Sequence, residues 1–137
     1  MPTDARPVGF AALSAVALIP LAGGCSFIRW ESSLESGLAK AAQGQRPALV
    51  QFYSALNGDC LEMERQVFTD SEVQQQLEGF VPIRLDCQLN RKLAEQMGVE
   101  RLPTFFVLRC DGTIAGSHAG KMAADKFNFF LIKYRYY

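Results

Sequence analysis

Two short apolar runs, "ALVQFY" at 48–53 and "FVPIRLD" at 80–86, are separated by a stretch with helical spacing, and that separation decides the topology. Both runs are rich in β-branched and aromatic side chains, so each reads as a strand. Pro82 falls near the start of the second, where a missing donor is tolerated. Between them, residues 57–67 put Cys60, Met63 and Val67 on one helical face. "TDSE" at 69–72 has the spacing of a capping box, and Val73 and Leu77 continue the apolar stripe to Gly79. A helical crossover between two strands of one sheet is right-handed and makes them parallel. Further on, "TFFVLR" and "TIAGSHA" flank "CDG", and Asp111-Gly112 between two β-rich runs predicts an antiparallel hairpin. One sheet must then hold parallel and antiparallel neighbours together.

The remaining segments read as helices. "SSLE" at 32–35 has capping-box spacing, with Leu34, Leu38 and Ala41 on one face and a stop at Gly44. Asn90 is placed to cap a short helix through Leu93, Ala94 and Met97, closed by Gly98. Ala123, Phe127, Phe130, Leu131 and Tyr134 mark a closing amphipathic helix. The expected order is α-β-α-β-α-β-β-α, an α/β fold with a mixed central sheet and helices on both faces. A length of 137 residues bounds this to one domain.

The N-terminus differs in kind. Residues 10–25, "FAALSAVALIPLAGGC", carry no charge and follow a segment whose only basic side chain is Arg6. That is the pattern of a secretory signal, and the apolar run is short for a membrane span. "LAGGC" resembles a bacterial lipobox, in which small residues precede a cysteine that is lipidated and becomes the first residue. The expected division is a lipoprotein-type signal peptide over 1–24, lipidation at Cys25, a short tether over 25–31 and a folded domain over 32–137. The alternative is an uncleaved anchor over 9–28 with Pro20 inside it. Either way the domain is exported and held at a membrane of the bacterial envelope, in the periplasm or outside. Phe27, Ile28 and Trp30 would then lie at the interface.

Fourteen basic and 14 acidic side chains cancel, which gives no electrostatic reason to expect nucleic acid. The four cysteines lack paired C-x-x-C spacing and the chain has one histidine, so neither a metal site nor a cofactor is expected.

From Trp30 onward the chain resembles the thioredoxin superfamily. It is most similar to exported or membrane-linked thioredoxin-like domains with a W-C-x-x-C…M-E…F-x-D-x-x-V signature. "CLEMERQVFTDSEV", "FVPIRLD" and "MGVERLPTFFVLRCDGT" carry the match. The resemblance implies a thioredoxin-like fold with a cis-proline at Pro103, within Leu102-Pro103-Thr104, beside the active-site turn. It also implies that this turn is Asn57, Gly58, Asp59 and Cys60. Leu56 then stands at the usual tryptophan, Asn57 at the nucleophilic cysteine and Cys60 at the resolving one. Gln51 replaces the buried acid that often assists proton transfer. An asparagine cannot attack a disulfide, but it is among the best N-caps. Cys60, one turn further in, faces the core; burial and Asp59 raise its pKa while the helix N-terminus lowers it.

Three functions follow from that substitution. The leading one is a membrane-tethered, extracytoplasmic thioredoxin-like protein with a degenerate NGDC motif, whose groove at the Asn57 turn and Pro103 binds a polypeptide or partner protein. The rival is a thiol-disulfide oxidoreductase in which Cys60 is catalytic, alone or with Cys87 as resolver. The third is a structural spacer of the envelope. Cys87 ends "IRLDC" at the same end of the sheet as the Asn57 turn, so Cys60 and Cys87 form either a disulfide or two small buried hydrophobes. Cys110 belongs to the hairpin turn at the opposite end. His118, near the end of the last strand, is either an acid–base group or a half-exposed strand histidine. The closing "KYRYY" is either a frayed helix end or a contact with lipid.

Overall fold

Ala48–Tyr53 forms β1, and every other strand is placed relative to it. Val81–Asp86 forms β2 and pairs with β1 in parallel, Ala48 opposite Val81 and Tyr53 opposite Asp86. Thr104–Leu108 forms β3, antiparallel on the other side of β1, and Ile114–Ala119 forms β4, antiparallel to β3. The sheet order is β2-β1-β3-β4. The computed structural model describes residues 27–137. The expected signal peptide over 1–24 and the expected lipidation at Cys25 lie outside the described residues.

Alternation along the strands builds two cores. Leu49, Phe105 and Val107 face one side, where they meet α2 (Gly58–Gln66), α3 (Ser71–Leu77) and α5 (Ala124–Tyr134). Val50, Phe52, Ile83, Leu85 and Phe106 face the other, against α1 (Leu34–Gly44) and α4 (Arg91–Gln96). Covered on both faces, β1 and β3 are buried almost throughout, as apolar runs without alternation require. β4, at the edge, has no fully buried residue. Gly37 lets α1 lie directly on β2: a Cβ there would stand 2.3 Å from Ile83 Cδ1.

Local details depart from the sequence reading in ways that tertiary contacts explain. The segment between β1 and β2 is two helices rather than one. Val67 and Phe68 both donate to Met63 O, which closes α2, and Asp70 starts α3 by accepting from the Glu72 and Val73 amides. Thr69, the expected cap, instead donates its hydroxyl to Arg65 O at 2.7 Å. Ser33, not Ser32, caps α1, because Glu31 is held in extended form on β2 by bonds to Pro82 O and from the Arg84 amide, both 2.8 Å. Gly44 is the last helical residue, and the left-handed position after it is Gln45, at φ 48°. Asn90 makes no capping bond; its amide donates back to Asp86 O at 2.9 Å.

The stretch read as a tether is partly built into the fold. Trp30 stands edge-on to Phe68 with centroids 5.3 Å apart, and the Arg84 guanidinium lies 4.4 Å from its ring centroid. Folded structure therefore begins ahead of Ser32, and Trp30 is not free to reach an interface. Phe27 is 82% exposed. Among the described residues no helix is long and apolar enough to cross a membrane.

Candidate active site

The strand directions gather the site. β1 and β2 run in parallel and β3 runs against them, so the exits of β1 and β2 and the entry of β3 share one end of the sheet. There the 54–60 turn, Cys87 and Leu102-Pro103-Thr104 come together. The Leu102–Pro103 peptide is cis, and Pro103 O accepts from the Gly120 amide at 2.7 Å.

Asn57 opens α2. Its own amide donates to Ser54 O at 3.2 Å, and its Oδ1 accepts from the Cys60 amide at 3.0 Å. The side chain is therefore engaged by the backbone one turn on, satisfying one of the orphan donors of a helix start. Asn57→Ala should lose about 1 kcal/mol of stability, while Asn57→Asp should stay close to neutral because it caps as well and its charge suits the dipole. Urea denaturation of the two variants beside the wild type measures both.

Cys60 is 3% exposed. Burial pushes its thiol up, with the charges of Asp59 and Glu64 adding to that; a backbone hydrogen bond from Ser54 and the cation of Arg84 oppose it. Lys121 ties the β4–α5 connection to this first turn, its Nζ 2.6 Å from Glu62 Oε2 and 3.7 Å from Asp59 Oδ1. The hydrogen bond it donates to the Glu62 carboxylate holds the ammonium above its ordinary pKa.

Arg84 was not singled out from the sequence, although parity reveals it. Ile83 and Leu85 face the second core, so Arg84 must point under the helices of the first. There its Nε donates to Gln51 Oε1 at 3.2 Å, and its guanidinium lies 5.0 Å from the Tyr53 ring and 5.7 Å from Phe68. Nη2 faces the Glu64 carboxylate as an ion pair without hydrogen-bond geometry. Gln51, 1% exposed, thus serves as a neutral acceptor for a partly buried cation and cannot take up a proton as a carboxylate would.

The three described cysteines, Cys60, Cys87 and Cys110, are free thiols. The possible Cys60–Cys87 disulfide is not formed, because α2 packs on the first core while Cys87 packs against the second, across the sheet. Cys110 is exposed in the hairpin turn at the far end. His118 pairs opposite Phe105 and stands edge-on to Phe130 at 6.3 Å, which makes it a half-buried packing partner of α5. Leu56 and Leu89, 90% and 86% exposed, follow the exits of β1 and β2 and give the site end an apolar rim.

A family model described as thioredoxin-like matches residues 29–110. Among solved structures, the chain is similar to a thioredoxin from Thermus thermophilus: 26% identity, TM-score 0.70, 77% of this chain and 85% of that one covered. It is also similar to the DsbD C-terminal domain of Neisseria meningitidis in the oxidised form, at 23% identity and TM-score 0.67, covering 77% and 99%. A disulphide isomerase from Xylella fastidiosa Temecula1 matches at 17% identity and TM-score 0.65, covering 80% and 98%. The latter two likenesses are of fold. No curated protein matches the chain.

Proposed function

The chain belongs to the thioredoxin-like family, and from that premise we propose that it is a membrane-tethered, extracytoplasmic binding domain with a degenerate active-site turn. It would not act as an autonomous dithiol oxidoreductase. The observation that carries this reading is Asn57: it stands at the head of α2 with its side chain bonded to the Cys60 amide. Disulfide exchange begins with a thiolate at an accessible helix N-terminus. This turn offers an amide there and, behind it, a buried thiol with a raised pKa. An oxidoreductase working through Cys60 with Cys87 as resolver would need the two sulfurs to meet, and they belong to elements packed on opposite faces.

The tether in this reading is the lipoprotein-type signal over 1–24 with lipid on Cys25, and the compartment is the periplasm or the outer face of the envelope. The ligand is an extended polypeptide or partner domain lying along the Asn57 turn and Leu102-Pro103-Thr104. Leu56 and Leu89 would supply apolar contact on either side.

A photo-crosslinking residue in place of Leu56 or Leu89 tests this in cells. Discrete protein adducts are expected at both positions and none at Phe129, which is equally apolar and 70% exposed but lies on α5. Adducts absent from 56 and 89, or equally abundant at 129, would remove the binding role from this end of the domain.

A further inference from the structure

We propose that the end of the domain opposite the Asn57 turn is a docking face for an anionic bilayer, which leaves the Leu56–Pro103 end pointing away from the membrane. This rests on the tethered reading above. Glu31 bridges Ile83 in parallel, so residues 27–31 run beside β2 in its own direction. Phe27 therefore lies at the entry end of β2, beside Leu77, Phe80 and Val81, and the Asn57 turn lies at the exit end. Two residues of chain span at most ~7 Å, so lipid on Cys25 would hold Phe27 at headgroup depth.

Independent features converge on the same end. α5 runs towards it, with Arg135 Nη1 3.4 Å from Gln76 Oε1 at the foot of α3. The hairpin turn meets it there, the Arg109 guanidinium lying 5.8 Å from the Tyr137 ring centroid. Phe27, Tyr136 and Tyr137 are exposed at this end, among Arg29, Arg46, Arg109 and Arg135; the acids beside them are Glu78, Asp111 and Glu31, the last paired with Lys40. Exposed aromatics mixed with cations suit the headgroup region of an anionic membrane. The other end mixes signs: Asp59, Glu62 and Asp86 stand there with Lys121, with Arg91 and Lys92 at the start of α4 and with Arg101 beside Gly120. The exposed aromatics and the excess of arginine over acid at the Phe27 end orient the domain in the same sense as the tether.

The test uses the full chain reconstituted into vesicles of phosphatidylcholine and phosphatidylglycerol that contain a headgroup-nitroxide lipid. A fluorophore is placed on Cys110 in a Cys87→Ser background, or at position 56 in a Cys87→Ser, Cys110→Ser, Leu56→Cys variant. Quenching is expected to be several-fold stronger at 110 than at 56. The difference should shrink in phosphatidylcholine alone and in an Arg29→Glu, Arg135→Glu variant. A chain that fails to float with the vesicles overturns the tether and this proposal together. A chain that floats but is quenched equally at both positions, or keeps its asymmetry after charge reversal, overturns the docking face and leaves the tether standing. Concentration-dependent dimerisation without quenching at 110 would overturn it and assign the face to a second copy.

Discussion

Asn57→Cys should turn a chain that leaves insulin disulfides at background into one that reduces them with dithiothreitol at least ~10-fold faster than the wild type. The introduced thiol would stand at the head of α2, where unpaired amides and the helix dipole favour a thiolate. It would attack a substrate disulfide, releasing one substrate thiolate and forming a mixed disulfide. Cys60, one turn in, would then displace the second substrate thiol, and dithiothreitol would reduce the resulting protein disulfide. The variant should remain slower than a two-cysteine thioredoxin, because Gln51 accepts from Arg84 and offers no proton acceptor. It should also lose about 1 kcal/mol with the cap. A rate indistinguishable from wild type would mean that the turn and Pro103 do not form a thioredoxin-like site.

The largest stability effect should come from Phe127→Ala, at about 3–5 kcal/mol. Phe127 is 0% exposed and joins Phe105 at 5.1 Å, Phe68 at 5.7 Å and Phe130 at 6.3 Å. Its removal leaves a cavity where α5, β3 and the end of α2 meet. A loss of that size is a large part of a typical domain's stability, so the variant is expected to be partly unfolded at 37 °C. Phe127→Leu, which keeps most of the volume, should cost less and remain measurable in urea. Phe129→Ala, on the exposed face of the same helix, should stay within about 0.5 kcal/mol of wild type. Equal losses at 127 and 129 would contradict the packing of α5 described above.

The topology was legible because its signals are local. Apolar runs, helical spacing and Asp111-Gly112 each act over a few residues, and the right-handed crossover rule joins them into one sheet. The features that were missed depend on contacts across the sheet or on competition between neighbours. Ser32 and Ser33 are equal candidates as caps, as are Thr69 and Asp70. The choice falls to Ser33 because Glu31 is drawn onto β2, and to Asp70 because Thr69 is bonded to Arg65. Asn90 has the right residue type for a cap but is claimed by Asp86. The separation of Cys60 from Cys87 turns on which face one strand-end residue takes, and only the packed second core decides it. Trp30 looked like an interfacial aromatic because its partners, Phe68 and Arg84, lie 38 and 54 residues further on. Arg84 itself needed the parity of β2 to be followed one position further than the apolar residues.

The most direct test of a turn without autonomous exchange is the chemistry of Cys60 in the intact chain. The full protein would be incubated with a disulfide-bearing peptide and mapped by mass spectrometry across a pH series. Cys110, exposed in its turn, should acquire the peptide first. Cys60 should stay unmodified at neutral pH, since its raised pKa leaves little thiolate and its burial leaves no path to it. The sign of the shift places the change on the alkaline side. The stability gained by keeping the thiol protonated is present below its ordinary value of 9.0 and is lost as pH rises beyond it, so reactivity should appear only there. A mixed disulfide on Cys60 at neutral pH, formed as fast as on Cys110 or followed by a Cys60–Cys87 bond, would contradict the account and make this chain an oxidoreductase.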